Sequence, residues 1–247
     1  MAYDLATDPA FDFPSRTPEW RFLILSLPRS GSSLLADGLF QTGLAGAPFE
    51  YFNEIASNGV ATFSDTQAVQ DYLEPFQQRR TSPNGAFGIK VHYYQFAAIF
   101  TTEAGVTETG RAFLRSFDRI IMIDRQDKIR QAISLLVASN TDKWSSEDEA
   151  DSNKSHVATD EQTMLQVANR VAFLLSDLIA CKAMVRKENL TVLESNYEDL
   201  VENYDAEMRK VLDFLSLPYV QTSLRSVQLS GPESDKAKAH FLSMIGG

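Results

Sequence analysis

A single cysteine in 247 residues rules out a disulfide within the chain. Cys181 lies in the apolar stretch Leu178–Met184, where it reads as a small buried hydrophobe. The only histidines are His92, His156 and His240, and no cysteine or histidine spacing suggests a metal site. Positive charge is also short: 23 Lys and Arg against 33 Asp and Glu leave a net charge of −10. A broad basic surface for nucleic acid is thereby excluded, and any anionic ligand must be held by a local cluster. No apolar run approaches the ~20 residues that cross a bilayer, so no membrane span is expected. No basic stretch followed by an apolar core opens the sequence, so the expectation is a cytoplasmic protein without a signal peptide. The length fits one large α/β domain over 1–247.

The most informative segment that is present runs from Phe22 to Leu35. Phe22–Leu27 reads as a buried strand. It breaks at Pro28, turns through Arg29-Ser30-Gly31-Ser32-Ser33 and enters a helix at Leu34. A strand that feeds a helix through small residues leaves the first helical N–H groups unpaired, and the helix dipole adds to their pull on an anion. Gly31 permits close backbone approach, Ser32 and Ser33 offer hydroxyls, and Arg29 brings a permanent charge. The result is a phosphate cradle. It is not that of a nucleoside triphosphatase, because the first Gly and the Lys of that motif are both missing.

Further strands are expected at 86–91, 119–124 and 190–194. Arg119–Asp124 is the clearest, a continuous β-branched run ended by charge, as in a strand covered on both faces. Helices are expected at about 32–42, 127–139, 162–187 and 207–215. A short helix capped at Ser64–Thr66 should end or kink at Pro75. Residues 1–18 read as a loosely held arm, and the polar, acidic stretch 142–162 as a lid or mobile insertion. Strands alternating with helices predict an α/β fold, a central parallel sheet flanked by helices. Ligands in such sheets sit at the carboxyl ends of the strands, where Pro28–Ser33, the residues after Lys90, and Arg125 all fall.

Arg125 follows the third strand, and Ser134 lies nine residues on, in the next helix. Together with the loop after the first strand, they could grip a ligand with phosphates at two ends. On these residues the chain resembles the sulfotransferase superfamily. The resemblance extends to Leu193-Glu-Ser-Asn-Tyr-Glu-Asp-Leu200 and to Val211-Leu-Asp-Phe-Leu-Ser-Leu-Pro218. The closer resemblance is to the bacterial trehalose 2-sulfotransferase-like branch, through Arg29–Leu35, Thr42–Phe52, Phe87-Gly-Ile-Lys90, Arg125–Ser134 and Trp144. One departure is Val227-Gln-Leu-Ser230, where the branch usually has Arg-Gln-Ala-Asp; Arg225 stands nearby as a substitute.

The resemblance implies a P-loop-like sulfotransferase fold. It implies 3′-phosphoadenosine 5′-phosphosulfate as donor, 3′-phosphoadenosine 5′-phosphate as product, no metal, and a homodimer. Arg29, Ser30, Gly31, Ser32 and Ser33 would hold the 5′ end of the donor, and Arg125, Ser134 and Arg225 the 3′-phosphate. The acceptor would be a small molecule with a hydroxyl, possessing carbohydrate character in the branch. Its proton needs a base. The resemblance favours Glu50; His92, at a strand end, is the second candidate. Lys90 is a candidate contact to the transferring group. Glu54, Tyr93 and Trp144 are candidate acceptor contacts, with Tyr94 beside Tyr93. The rival readings are a small-molecule kinase and a nucleotide-binding protein without catalysis.

Overall fold

The computed structural model describes residues 5–57, 63–141, 144, 157–223 and 232–246. Strand β1 (Trp20–Ser26) leads to helix α1 (Ser32–Gln41). Helices α2 (Asn53–Ser57) and α3 (Thr66–Arg80) precede β2 (Ala86–His92), and α4 (Tyr93–Phe100) follows β2 without a break. A small antiparallel pair, β3 (Thr101–Thr102) and β4 (Gly105–Val106), and α5 (Glu108–Arg115) lead to β5 (Arg119–Asp124). Next come α6 (Lys128–Thr141), α7 (Glu161–Lys187), β6 (Val192–Asn196), α8 (Tyr197–Glu202), α9 (Tyr204–Phe214) and α10 (Pro232–Ile245).

β2, β1, β5 and β6 pair in that order as one parallel sheet. The two-residue period of the strands separates its two faces. Leu23, Leu25, Ile89, Val91, Ile120 and Met122 pack with side chains of α3, α4, α5 and α7. Phe22, Ile24, Ile121 and Ile123 pack with α1, α8 and α9. Each such fully buried side chain contributes ~1.5–3 kcal/mol. A third cluster joins Leu27 to α6, α7 and α10.

Register decides where the chemistry goes. Ile24 pairs with Lys90 and Ser26 with His92. Lys90 and His92 therefore share the β2 face opposite Ile89 and Val91, and His92 lies beside Ser26. A one-residue slip would put both on the other face.

One expectation is corrected and two are refined. The N-terminal arm is tied down from residue 5 onward. Leu5, Phe11 and Phe13 pack on the core. The fully buried Arg80 donates to the Ala6 and Asp8 carbonyls at 2.8 and 2.9 Å and pairs with Asp12. Helix α3 does not end at Pro75 but continues to Arg80. Its second half is held by the buried Gln77 and Arg80, so packing outweighs the one lost backbone hydrogen bond. Third, α7 is, by length and composition alone, long and apolar enough to cross a bilayer. Its apolar residues are interspersed with Arg170, Asp177 and Lys182, which is why no uninterrupted run showed in the sequence. Met164, Val167, Leu174, Cys181, Met184 and Val185 of this helix are buried within the fold.

Candidate active site

The loop after β1 contains two residues with left-handed backbone, Arg29 (φ 61°) and Gly31 (φ 87°). Gly31 is the N-cap of α1 and supplies no side-chain cap, so the first N–H groups of the helix lack the usual side-chain acceptor. A Cβ at Gly31 would stand 2.6 Å from Cδ2 of Tyr197, so only glycine lets α8 approach. Ser30 is fully buried and its Oγ has no hydrogen-bond partner. Gln131 of α6 fixes the loop from the other side, donating to the Pro28 carbonyl at 2.8 Å.

Arg125, just past β5, is 5% exposed. Its guanidinium lies over the Tyr197 ring, 4.6 Å from the centroid, and its buried Nε has no hydrogen-bond partner. Burial lowers its pKa, while Tyr197, Glu198 and Asp127 favour its charge. Glu198 holds the turn by accepting from the backbone N–H groups of Gln126 and Asp127 at 3.0 and 3.1 Å. Arg29 and Ser134 meet directly, Nε donating to Oγ at 3.1 Å. Arg29 also donates to the Trp144 carbonyl at 2.6 Å.

Glu50 stands at the end of β2. Its loop is pinned there because the Lys90 N–H donates to the Phe49 carbonyl at 2.9 Å. Oε1 of Glu50 takes Lys90 Nζ at 2.8 Å and His92 Nε2 at 3.3 Å. Oε2 accepts from Gln95 Nε2 at 3.0 Å. Lys90 also donates to Ser33 Oγ at 2.8 Å, which joins this group to the N-terminus of α1. His92 Nδ1 meets Ser26 Oγ at 2.9 Å. Burial would raise the Glu50 pKa, but Lys90 and His92 outweigh it and hold the carboxyl well below the usual carboxylate range. The Tyr94 ring stacks on His92 at 5.8 Å, and burial together with Glu50 pushes its hydroxyl up to about 12. Pro28, Tyr94, Leu135, Trp144 and Phe173 line an adjoining cleft of about 200 Å³. Among the described residues no three His, Cys, Asp or Glu side chains converge to hold a metal.

The sequence pattern of the Stf0 sulphotransferase family matches residues 21–236, which include every residue of this site. The chain belongs to that family.

Two related proteins are both named trehalose 2-sulfotransferase. One, from Mycobacterium tuberculosis, is 29% identical over 155 residues, 50% of this Stf0 chain and 58% of the relative. The chain thus matches less than two thirds of that relative's length. The other, from Mycolicibacterium smegmatis, is 24% identical over 226 residues, 78% of this chain and 83% of the relative. Among solved structures, a sulfotransferase from Alicyclobacillus acidocaldarius superposes with a TM-score of 0.52 at 14% identity, over 94% of this chain and 96% of that one. That likeness establishes the α/β sulfotransferase fold.

In this Stf0 chain the residues expected at the site are placed unequally. Arg29, Ser30, Gly31, Ser33, Arg125 and Ser134 gather around the β1 loop, and Glu50 touches both Lys90 and His92. Ser32 is buried in the first turn of α1. Tyr93 does not join them. It packs against the core and stacks with Phe96, because consecutive residues of α4 point apart, and Tyr94 takes the cleft. Trp144 lines the same cleft. Glu54 lies in α2, with its side chain outside the described groups. Arg225, the Val227–Ser230 segment and most of the expected lid also lie outside the described residues. The sequence reading missed Gln95, Ser26 and Gln131. Two residues had left a usable signal: Gln131, inside the quoted Arg125–Ser134 element, and Tyr197, first residue of the quoted Tyr-Glu-Asp-Leu.

Proposed function

We propose that the protein moves a sulfuryl group from 3′-phosphoadenosine 5′-phosphosulfate to a hydroxyl of a small, carbohydrate-like acceptor. One observation carries this reading: two buried donors without partners, Ser30 Oγ and Arg125 Nε, flank a single contact between Gly31 and Tyr197. A buried polar group left unpaired costs ~1–3 kcal/mol. An anion rich in oxygen would remove that cost at both places. Guanidinium groups, hydroxyls and an uncapped helix N-terminus together suit phosphate. Arg29 and Ser30–Ser33 would hold the 5′ end, and Arg125 and Ser134 the 3′-phosphate, with Arg225 a further candidate.

When bound, the donor supplies the sulfuryl group, and charge grows on its leaving oxygen. Arg29 and Lys90 are cations already fixed beside the α1 N-terminus, where such charge needs them. Glu50 takes the proton of the acceptor hydroxyl. Its Oε1 already accepts two donors and Oε2 only one, so the proton goes to Oε2. Tyr94 and Trp144 offer aromatic faces to a sugar in the cleft. The names of the two relatives support trehalose as the first acceptor to try.

One observation favours His92 as the base instead: a carboxylate held so far below its usual range is a weak proton acceptor. An active Glu50→Gln with a dead His92→Ala would move the base to His92. The family resemblance also carries the proposals of a single domain, a homodimer and a cytoplasmic location; light scattering on the purified protein tests the second.

Calorimetry with 3′-phosphoadenosine 5′-phosphate, set against ATP with Mg²⁺, tests the donor. Tight binding of the first alone supports the reading, and the reverse supports the rival kinase. Mass spectrometry of trehalose and a panel of other hydroxyl compounds after incubation with the donor tests transfer. Binding without sulfation of any of them would leave a nucleotide-binding protein without catalysis.

A further inference from the structure

We infer that Gln95 is a positioning residue, which holds the Glu50 carboxylate in one orientation and keeps it ionised by donating to its Oε2. The inference deepens the reading just given and rests on Glu50 being the base.

Gln95 is fully buried at the third position of α4. Its Oε1 accepts from the backbone N–H of His92 at 2.8 Å. That N–H can only donate, so the orientation of the side-chain amide is fixed by chemistry. Nε2 must then point the other way, and it donates to Glu50 Oε2 at 3.0 Å and to Asn53 Oδ1 at 3.3 Å. The charged and titratable groups around Glu50 are Lys90 and His92 on Oε1, from β2, and Tyr94 from α4. Gln95 is the neutral donor that completes the set.

Capping alone does not explain a glutamine here. The side chain that accepts from the N-cap N–H three residues back can be glutamate or glutamine. Of the two, glutamine can donate to a carboxylate and an ionised glutamate cannot. The two roles therefore separate in one substitution. Gln95→Glu keeps the acceptor for the His92 N–H and sets a second carboxylate against Glu50.

The experiment is a ¹³C NMR titration of side-chain carboxyls, with the Glu50 signal assigned by its loss in Glu50→Gln. In Gln95→Leu, which removes the donor without adding charge, the Glu50 midpoint is expected to rise. In Gln95→Glu two carboxylates share one site and titrate as a pair, whose upper midpoint is expected about one pH unit or more above that of Glu50 in the wild type. Affinity for 3′-phosphoadenosine 5′-phosphate should stay within about twofold in both, which shows that the fold and donor loop persist. A Glu50 midpoint unmoved in a folded Gln95→Leu protein overturns the inference and leaves a helix cap. If the midpoint rises while turnover of trehalose stays at the wild-type level, the contact stands and Glu50 is not the base. If the wild-type protein does not sulfate trehalose, the acceptor reading fails and the titration still decides.

Discussion

The two halves of the site are finished to different degrees. On the β2 side every polar group of Glu50, Lys90, His92 and Gln95 that has been described meets another side chain or backbone group. In the loops after β1 and β5, Ser30 Oγ and Arg125 Nε are buried and unmatched. A network closed on itself needs nothing from outside to be stable. A pair of buried donors with no acceptor waits for one. The difference teaches that substitutions in the first half should act on stability and turnover, and those in the second on ligand affinity.

Glu50→Gln is the hardest blow to that contrast. Turnover is expected to fall ~10²–10⁴-fold while product-nucleotide affinity holds. A companion effect appears in acid. The carboxyl of Glu50 is held below the ordinary glutamate value of 4.5, so its stabilising contribution is complete above that pH and is lost as pH falls through the lowered value. Denaturation of Glu50→Gln should accordingly depend less on pH in that range. Lys90→Met comes next. It strips Oε1 of its nearest cation and should cost about 3 kcal/mol in urea unfolding.

Arg125→Met should show the opposite pattern. Calorimetry should find ~30-fold weaker binding of 3′-phosphoadenosine 5′-phosphate, while the melting temperature holds or rises, because a buried cation with an unmatched Nε has been removed. Ser30→Ala is the mildest. A ~5-fold loss of affinity is expected, with stability unchanged, since Oγ has no partner to lose. If Arg125→Met or Ser30→Ala instead unfolded the protein with affinity intact, the contrast between the halves would be gone.

The sheet was legible in the sequence because continuous β-branched runs end in charge or turn residues. Arg119–Asp124 was bounded as the structure has it, and the start of α1 at Ser32 followed from the small residues before it. The first part of the site followed from those strand ends. What stayed hidden was α4. It begins at Tyr93, directly after β2, with no loop or hydroxyl cap to announce it. Its cap comes from Gln95 reaching back to His92, and that contact requires the backbone to have turned already. Missing α4 meant missing Gln95 and choosing Tyr93 over Tyr94, since which tyrosine faces inward depends on helical rotation. The tethering of residues 5–18 was equally unreadable. It depends on a cation, Arg80, being buried completely, against the usual preference of arginine for water.

That same Arg80 links distant parts of the molecule. Its guanidinium grips the carbonyls of Ala6 and Asp8, and its own carbonyl accepts from the Ala47 N–H at 3.1 Å, three residues ahead of Glu50. A pull on the segment around Ala6 and Asp8 would thus be felt, through one buried cation, in the loop that carries Glu50.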